Sequence, residues 1–439
     1  GIGRRTEQGV VTTSLGRIQP HHLIILERMG RTYDVVILGA TGFTGQLASE
    51  YMARVYPIGK SNVRWALAAR SKPKLQSLAD RLGTEKPVDL LICDVTDLEA
   101  LERVVASTSV VVNYAGTPFI DKALPVVELC AKLGTHYCDI TGEIPLHRAS
   151  YDQFHKAAKA SGAIVLHGVG FDSVPSDIGA FLAAKAMRER HGCGSVRITG
   201  YLTDSSGGVS GGTIATVLDL IKKGVKVPGA KEASALGAYP LDPLGGVGGP
   251  DTRDFALPGY DSLGKMWTAP FVMAAVNGPV VRKSNALSSY SYGKGCKYNE
   301  VMGVPSLFSA SILTLGLALF GLVLLLPPLR ALCFALRLLP LPGEGPSRKQ
   351  QEAGSFKLDV YAQGEKEGVV AKAHVHSGTA GDPGYKATAL MSMECALALA
   401  LQRDACAAEG GVLTTATALG EVLVARLNKA GMDIGIDAA

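Results

Sequence analysis

The chain has 439 residues, 47% of them hydrophobic and 19% charged, which suits two or three domains with substantial cores. Its net charge of +5 is mild for that length, and no run of five or more basic residues occurs, which excludes a dedicated nucleic-acid binder. The eight cysteines form no CxxC pair and no Cys/His cluster with zinc spacing, so no metal site is expected and the scattered thiols point to a reducing compartment.

Residues 1–30 precede the first periodic segment. Arg4, Arg5, Arg17 and Arg28 are interspersed with Glu7 and Glu27 around no long apolar stretch, which argues against a secretory signal. A transit peptide and a non-native extension both stay open. Next, Val35, Val36, Ile37 and Leu38 form an unbroken apolar run bounded by turn glycines, which predicts a parallel strand over 33–38 buried on both faces. Further strands are expected over 63–69, 89–93, 109–113, 136–139 and 163–167. They alternate with helices over 46–56, 72–82, 98–106, 125–133 and 151–161. That alternation predicts a doubly wound, Rossmann-type parallel sheet over residues 31–180.

The turn after the first strand reads Gly39-Ala40-Thr41-Gly42-Phe43-Thr44-Gly45. A glycine spacing of GxxGxxG gains specificity when it follows a buried strand and opens a helix. Gly39 would permit the tight turn, Gly42 would let the backbone approach a pyrophosphate, and Gly45 would allow close helix–strand packing. Thr41, Phe43 and Thr44 complete the turn, and the helix N-terminus would present free N–H groups to the phosphates. The second strand ends in Ala69-Arg70-Ser71, with Lys74 close behind, where an NAD-selective site usually places an acid. A guanidinium there suits a 2′-phosphate, so NADP(H) is expected over NAD(H). Asp94 would border the adenine, and Asn113, Tyr114 and Gly116 stand where the nicotinamide half usually lies.

Beyond residue 180 the pattern changes. A strand over 196–203, a helix over 213–222, two strands over 356–363 and 368–377 and a helix over 385–400 predict an antiparallel sheet with helices. Such an α+β unit is typical of a substrate or dimerisation domain. Residues 227–265, rich in Gly and Pro, read as a long ordered loop or cover. The stretch 411–430 reads as a terminal amphipathic helix. His374 and His376 share one face of a strand but have no third ligand nearby, which favours an ordinary half-buried strand.

From Val301 to Leu329 no residue is charged. Twenty apolar residues in a helix rise about 30 Å, enough to cross a bilayer core. Pro327-Pro328 then breaks the helix, and a shorter arm to Leu341 carries Arg330 and Arg337. The strands that follow belong with those before, so the chain must return to the side it left. A monotopic, re-entrant hairpin over 306–341 is expected, with Leu307–Leu341 contacting lipid or a membrane surface.

For proton transfer the candidates are Asp139 and Glu143 after the fifth strand, Asp172 after the sixth, and Tyr385 before the last long helix. The first three lie at the carboxyl edge, where such sheets bind ligands. Thr141, Ser173, Ser176 and Asp177 in the same loops read equally well as caps, and His136 and His167 as packed histidines.

Taken together, GATGFTG, the run Val112-Asn113-Tyr114-Ala115-Gly116-Thr117-Pro118-Phe119, the run His136 to Glu143, Gly170-Phe171-Asp172-Ser173-Val174-Pro175-Ser176-Asp177 and Gly381-Asp382-Pro383-Gly384-Tyr385 resemble the saccharopine dehydrogenase-like oxidoreductases. The similarity runs from about Tyr33 to the C-terminus and extends to bacterial trans-acting enoyl reductases of lipid synthesis. The resemblance implies a Rossmann domain, an inserted α+β domain over 181–400, and a return of residues 401–439 to the first domain. It also implies membrane or lipid-droplet association. An NADP-dependent reductase of a lipid or polyketide chain, acting on an enoyl or carbonyl group, is therefore expected. It would sit at the cytosolic face of a membrane or on a lipid droplet, with a mitochondrial or plastid location open. A homodimer or a membrane complex also stays open. The alternative is a non-catalytic nucleotide-fold scaffold associated with lipid. A soluble amino-acid dehydrogenase is disfavoured by the apolar anchor and by the lack of an arginine cluster for a dicarboxylate.

Overall fold

A computed structural model describes residues 30–116, 119–207, 227–244, 249–251, 257–341 and 344–438, together with 214, 218 and 222. The expected extension over 1–30 up to Met29, most of the expected helix over 213–222, and Thr117-Pro118 lie outside the described residues. The strands, in chain order, begin with β1 (Tyr33–Leu38), β2 (Trp65–Ala69), β3 (Asp89–Ile92), β4 (Thr108–Asn113), β5 (His136–Asp139) and β6 (Ile164–Leu166). There follow β7 (Ser195–Ser206), β8 (Gly259–Asp261), β9 (Met266–Pro270), β10 (Lys297–Val304), β11 (Ser355–Gly364) and β12 (Val370–His376). The last two are β13 (Gly411–Leu413) and β14 (Asp433–Ile436).

One sheet has the order β13-β6-β5-β4-β1-β2-β3, and every pair in it is parallel. Residues 35–38 are fully buried because helices cover both faces. Val35 and Ile37 belong to one core, Val36 and Leu38 to the other. Edge strand β3 lacks this double cover and leaves Ile92 exposed. The second sheet has the order β14-β12-β11-β7-β10-β9-β8. Here the expectation of an antiparallel sheet is corrected. β7 and β10 run parallel while their neighbours run antiparallel, so the sheet is mixed. A chain that leaves β7 and returns as β10 in the same direction needs a crossover, and residues 207–296 supply it.

Other differences have local causes. The 227–265 segment holds a helix over Ala230–Ala235 and strand β8, both too short to impose a period. Helix Ala274–Leu287 escapes the sequence pattern because Gly278 and Pro279 interrupt it. The terminal stretch is not one helix. Three residues form β13, Thr414 caps the turn Thr415–Ala418, and Gly420–Lys429 is the helix before β14. The last long helix is Thr388–Leu401; Tyr385 lies in a wider turn over Pro383–Ala387 capped by Asp382.

The sheets share one core. Helix Val174–His191 packs on β11 and β12, whereas helix Thr388–Leu401 packs on β1, β4 and β5 and on helix Phe43–Val55. Twelve residues of Thr388–Leu401 are buried, and each fully buried leucine contributes about 2 kcal/mol. Helix Leu307–Leu325 is the contrast. Among the described residues it is the one helix long and apolar enough to cross a membrane. Phe308, Ile312, Leu315 and Leu319 on it are exposed, and only Ala310 and Leu324 are buried. A second helix, Pro327–Ala335, packs on its end, and the Arg330 guanidinium donates to the Leu324 carbonyl at 2.7 Å.

Candidate active site

Each glycine of the first turn has a distinct reason. Gly39 has φ +81°, and a Cβ there would stand 2.6 Å from the carbonyl carbon of Tyr114, so the turn closes directly on the end of β4. A Cβ on Gly45 would stand 3.0 Å from Ala40 Cα, which fixes how closely helix Phe43–Val55 packs on the turn. Gly42 is the N-cap of that helix, and a Cβ there would meet only the Gly39 carbonyl oxygen at 3.3 Å. No side chain caps the helix, and no acid stands in its first turn. The N–H groups of Phe43, Thr44 and Gly45 and the positive end of the dipole can therefore receive an anion, while the Thr41 carbonyl is occupied by Gln46 Nε2 at 3.0 Å.

At the end of β2, Arg70 and Lys74 are exposed, and Ser71 is an N-cap whose hydroxyl makes no cap hydrogen bond. Thr96 donates to Asp94 from its backbone at 3.0 Å and its hydroxyl at 2.9 Å. Those bonds, reinforced by Arg70 and Lys122, hold the Asp94 carboxyl below its usual range. Lys122 was not among the sequence candidates, because it belongs to no motif. Its position follows from Gly116, whose φ is +95° and where a Cβ would stand 2.8 Å from Lys122 Cβ. A cation count at the loop ends of β2 to β4 is the signal that would have found it.

Asn113 and Tyr114 reach the edge through their backbones alone. Asn113 Nδ2 donates to the Tyr137 hydroxyl at 3.0 Å, and its Oδ1 accepts from Ala115 N at 2.8 Å. The Tyr114 hydroxyl is buried against Ser392 and Met393, and burial pushes its pKa up. Both side chains brace the fold, which leaves their backbones to face the edge.

Asp139, fully buried, is the most engaged carboxylate of the edge. Its Oδ2 pairs with His167 Nδ1 at 2.7 Å and accepts from the Tyr137 hydroxyl at 2.9 Å. Its Oδ1 accepts from Thr141 N at 3.1 Å and Gly168 N at 3.2 Å. Burial pushes the carboxyl up, but His167 and these donors outweigh it and hold the pKa below its usual value. His167 in turn bonds Ser150 and stacks on His147 at 4.8 Å, and burial with His167 lowers His147 to about 3. Glu143 accepts from Phe119 N at 3.0 Å and so ties down the turn after β4. The Tyr385 ring lies edge-on against Phe43 at 5.1 Å, packed beside the first turn rather than among the acids.

Asp172 differs from these. It is half-buried in the loop after β6, and among the described residues its carboxyl accepts no hydrogen bond. Burial, with the negative charge of Asp139 nearby, pushes it up to about 7. It stands against Gly142. A Cβ there would lie 3.6 Å from Asp172 Oδ1 and 3.2 Å from Val276 Cγ1, so glycine lets an acid and an apolar side chain approach the same backbone closely. Val276 went unseen in the sequence because its helix did.

The family model for the saccharopine dehydrogenase NADP binding domain matches residues 35–166, which span β1 to β6. Trans-acting enoyl reductases from Mycobacterium bovis and Mycobacterium ulcerans are 35% and 33% identical over 421 and 422 residues; each match covers 92% of this chain, and 98% and 97% of the relatives. The chain belongs to the saccharopine dehydrogenase-like family, alongside the trans-acting enoyl reductases. A solved saccharopine dehydrogenase from Saccharomyces cerevisiae covers 92% of this chain and 100% of its own length, at 13% identity and a TM-score of 0.49.

In this saccharopine dehydrogenase-like protein the parallel sheet is thus an NADP binding domain, and NADP is favoured over NAD. The residues fit that cofactor. The open side of Gly42 and the uncapped helix suit a pyrophosphate, and the cations Arg70 and Lys122 both act on Asp94 after β3. His374 and His376 lie in β12 beside Asp359, Asp433 and Asp437, and no group among the described residues has the geometry to hold a metal ion.

Proposed function

We propose that this oxidoreductase reduces an enoyl or carbonyl group on a lipid or polyketide-type chain, with Asp172 as the proton donor. The observation that carries the proposal is the half-buried carboxyl near pKa 7 at the carboxyl edge of the sheet, beside Gly142 and Val276. Bound NADPH supplies the hydride. Reduction of an enoyl thioester adds that hydride to the β-carbon and a proton to the α-carbon. A carboxyl that is substantially protonated near neutral pH can give that proton and regain one from water. Val276 offers an apolar surface beside it. Cofactor contacts are assigned to the backbone of Gly39–Gly45 and to Arg70, Ser71, Lys74 and Lys122. The exposed apolar helix Leu307–Leu325 supports placing the enzyme on a membrane or lipid droplet at the cytosolic side, where an acyl substrate is at hand.

The test follows NADPH oxidation with enoyl thioesters of increasing chain length on detergent-purified protein. Turnover that rises with chain length supports the reading. NADPH binding without turnover on enoyl or carbonyl substrates sinks it. That outcome would favour the second reading, a lipid-associated nucleotide-fold scaffold, which the structural engagement of Asn113, Asp139 and Glu143 supports.

A further inference from the structure

Behind the phosphate-binding helix lies a cleft of about 510 Å³ that neither the cofactor turn nor Asp172 uses. Its size suits a small ligand. One wall is helix Phe43–Val55, the other is helix Arg348–Ala353, and the segment 379–390 closes the floor. Leu47, Val55 and Leu390 give it an apolar strip. Around that strip stand Arg54, Lys386 and Lys429, none of which forms an ion pair among the described residues.

The remaining charges do not cancel these three. Arg348 and Glu50 neutralise each other at 2.5 Å, which leaves Glu352 as the single carboxylate of the lining without an ion pair among the described residues. The polar atom of Tyr51 is also engaged, since its hydroxyl donates to Glu394 at 2.5 Å and Glu394 pairs with Arg426 at 2.7 Å. Lys386 is held in place. Gly381 has φ +88°, and a Cβ there would stand 2.7 Å from Lys386 Cδ, so the glycine makes room for the lysine stem. An excess of cations beside an apolar strip selects a ligand with a negative head and a hydrocarbon tail.

We infer that this cleft binds the phosphate or carboxylate head of an anionic amphiphile, with its first methylenes on Leu47, Val55 and Leu390. The source is either a free acyl anion or a lipid still in its bilayer.

The experiment titrates the whole protein, in detergent, with dodecyl phosphate, octyl glucoside and inorganic phosphate, following intrinsic fluorescence and thermal shift. Saturable binding of dodecyl phosphate is expected, with octyl glucoside and inorganic phosphate at least tenfold weaker. In the double variant Arg54→Gln/Lys429→Gln binding should weaken at least tenfold while NADPH binding is unchanged, which shows that the variant is folded. A Lys386→Gln variant serves if the pair fails to fold. Flotation with phosphatidylcholine vesicles, with and without phosphatidic acid, separates the sources. A bilayer lipid is the ligand if the variant loses only the increment due to phosphatidic acid; a free anion is the ligand if flotation is unchanged. Equal binding of octyl glucoside, or dodecyl phosphate binding unaltered in the variants, overturns the inference. So does binding of inorganic phosphate as tight as that of dodecyl phosphate.

Discussion

Two carboxylates of one sheet edge have opposite surroundings. Asp139, the last residue of β5, accepts from three donors, pairs with His167, and titrates below its usual value. Asp172, in the loop after β6, has no such donors among the described residues and is pushed up to about 7. Proximity links them, because the charge on Asp139 is one cause of the shift on Asp172. A carboxylate surrounded by donors is part of the frame. One left short of donors is destabilised as an anion and hence able to give a proton near neutral pH.

The strongest way to break this comparison is Asp172→Asn. Amide for carboxyl keeps the shape and removes the proton, so turnover should fall on the order of 10³-fold with NADPH affinity retained. In the wild type the rate should decline as pH rises through about 7, and the variant should lose that limb. An unchanged rate would reassign the acid. The partner substitution, Asp139→Asn, should cost about 3 kcal/mol in a denaturant titration, because it removes a buried carboxylate oxygen from donors that have no other acceptor among the described residues. It should also shift the limb due to Asp172 to lower pH, since one source of its raised pKa is gone. A limb that stays in place would uncouple the two acids.

The division between frame and site was only partly legible in the sequence. The parallel sheet was, because Val35–Leu38 can be buried on both faces only between two layers of helix, and the glycine spacing announced the tight turn between β1 and its helix. The roles of the acids were not. Asp139, Glu143 and Asp172 look alike in a row of letters, and what separates them is donors brought by Gly168, His167 and Phe119 from other loops. The two strands at the end of the chain, β13 and β14, hid behind their length of three and four residues. Lys122 and Val276 came from segments without a motif, so only the fold could bring them to the edge.

A cofactor variant separates loss of the acid from loss of NADPH. Arg70→Ala should weaken NADPH binding by about 2 kcal/mol, close to 30-fold, with little change for NADH. The limb near pH 7 should persist, because Arg70 is not among the groups that shift Asp172. Fluorescence titration of both nucleotides, read beside the pH profile, checks it. Equal weakening of NADPH and NADH would remove Arg70 from the 2′-phosphate site.

The smallest effect concerns stability, and its sign opposes the loss of activity. A carboxyl whose pKa is raised on folding contributes most to stability below its unfolded pKa, near 3.8 for Asp172, and loses that contribution as pH rises through about 7. Asn carries no such dependence. Asp172→Asn should therefore match the wild type or fall slightly below it near pH 4. By pH 8 it should gain about 1 kcal/mol, a figure already reduced for the partial exposure of the side chain. Thermal unfolding at pH 5 and pH 8 measures the difference. Asp139→Asn should lose stability at both pH values, because its carboxyl is held below the usual range. A variant that loses activity and gains stability at pH 8 identifies a strained functional group. If Asp172→Asn instead loses stability at pH 8, Asp172 belongs with Asp139 in the frame and the proton must come from elsewhere.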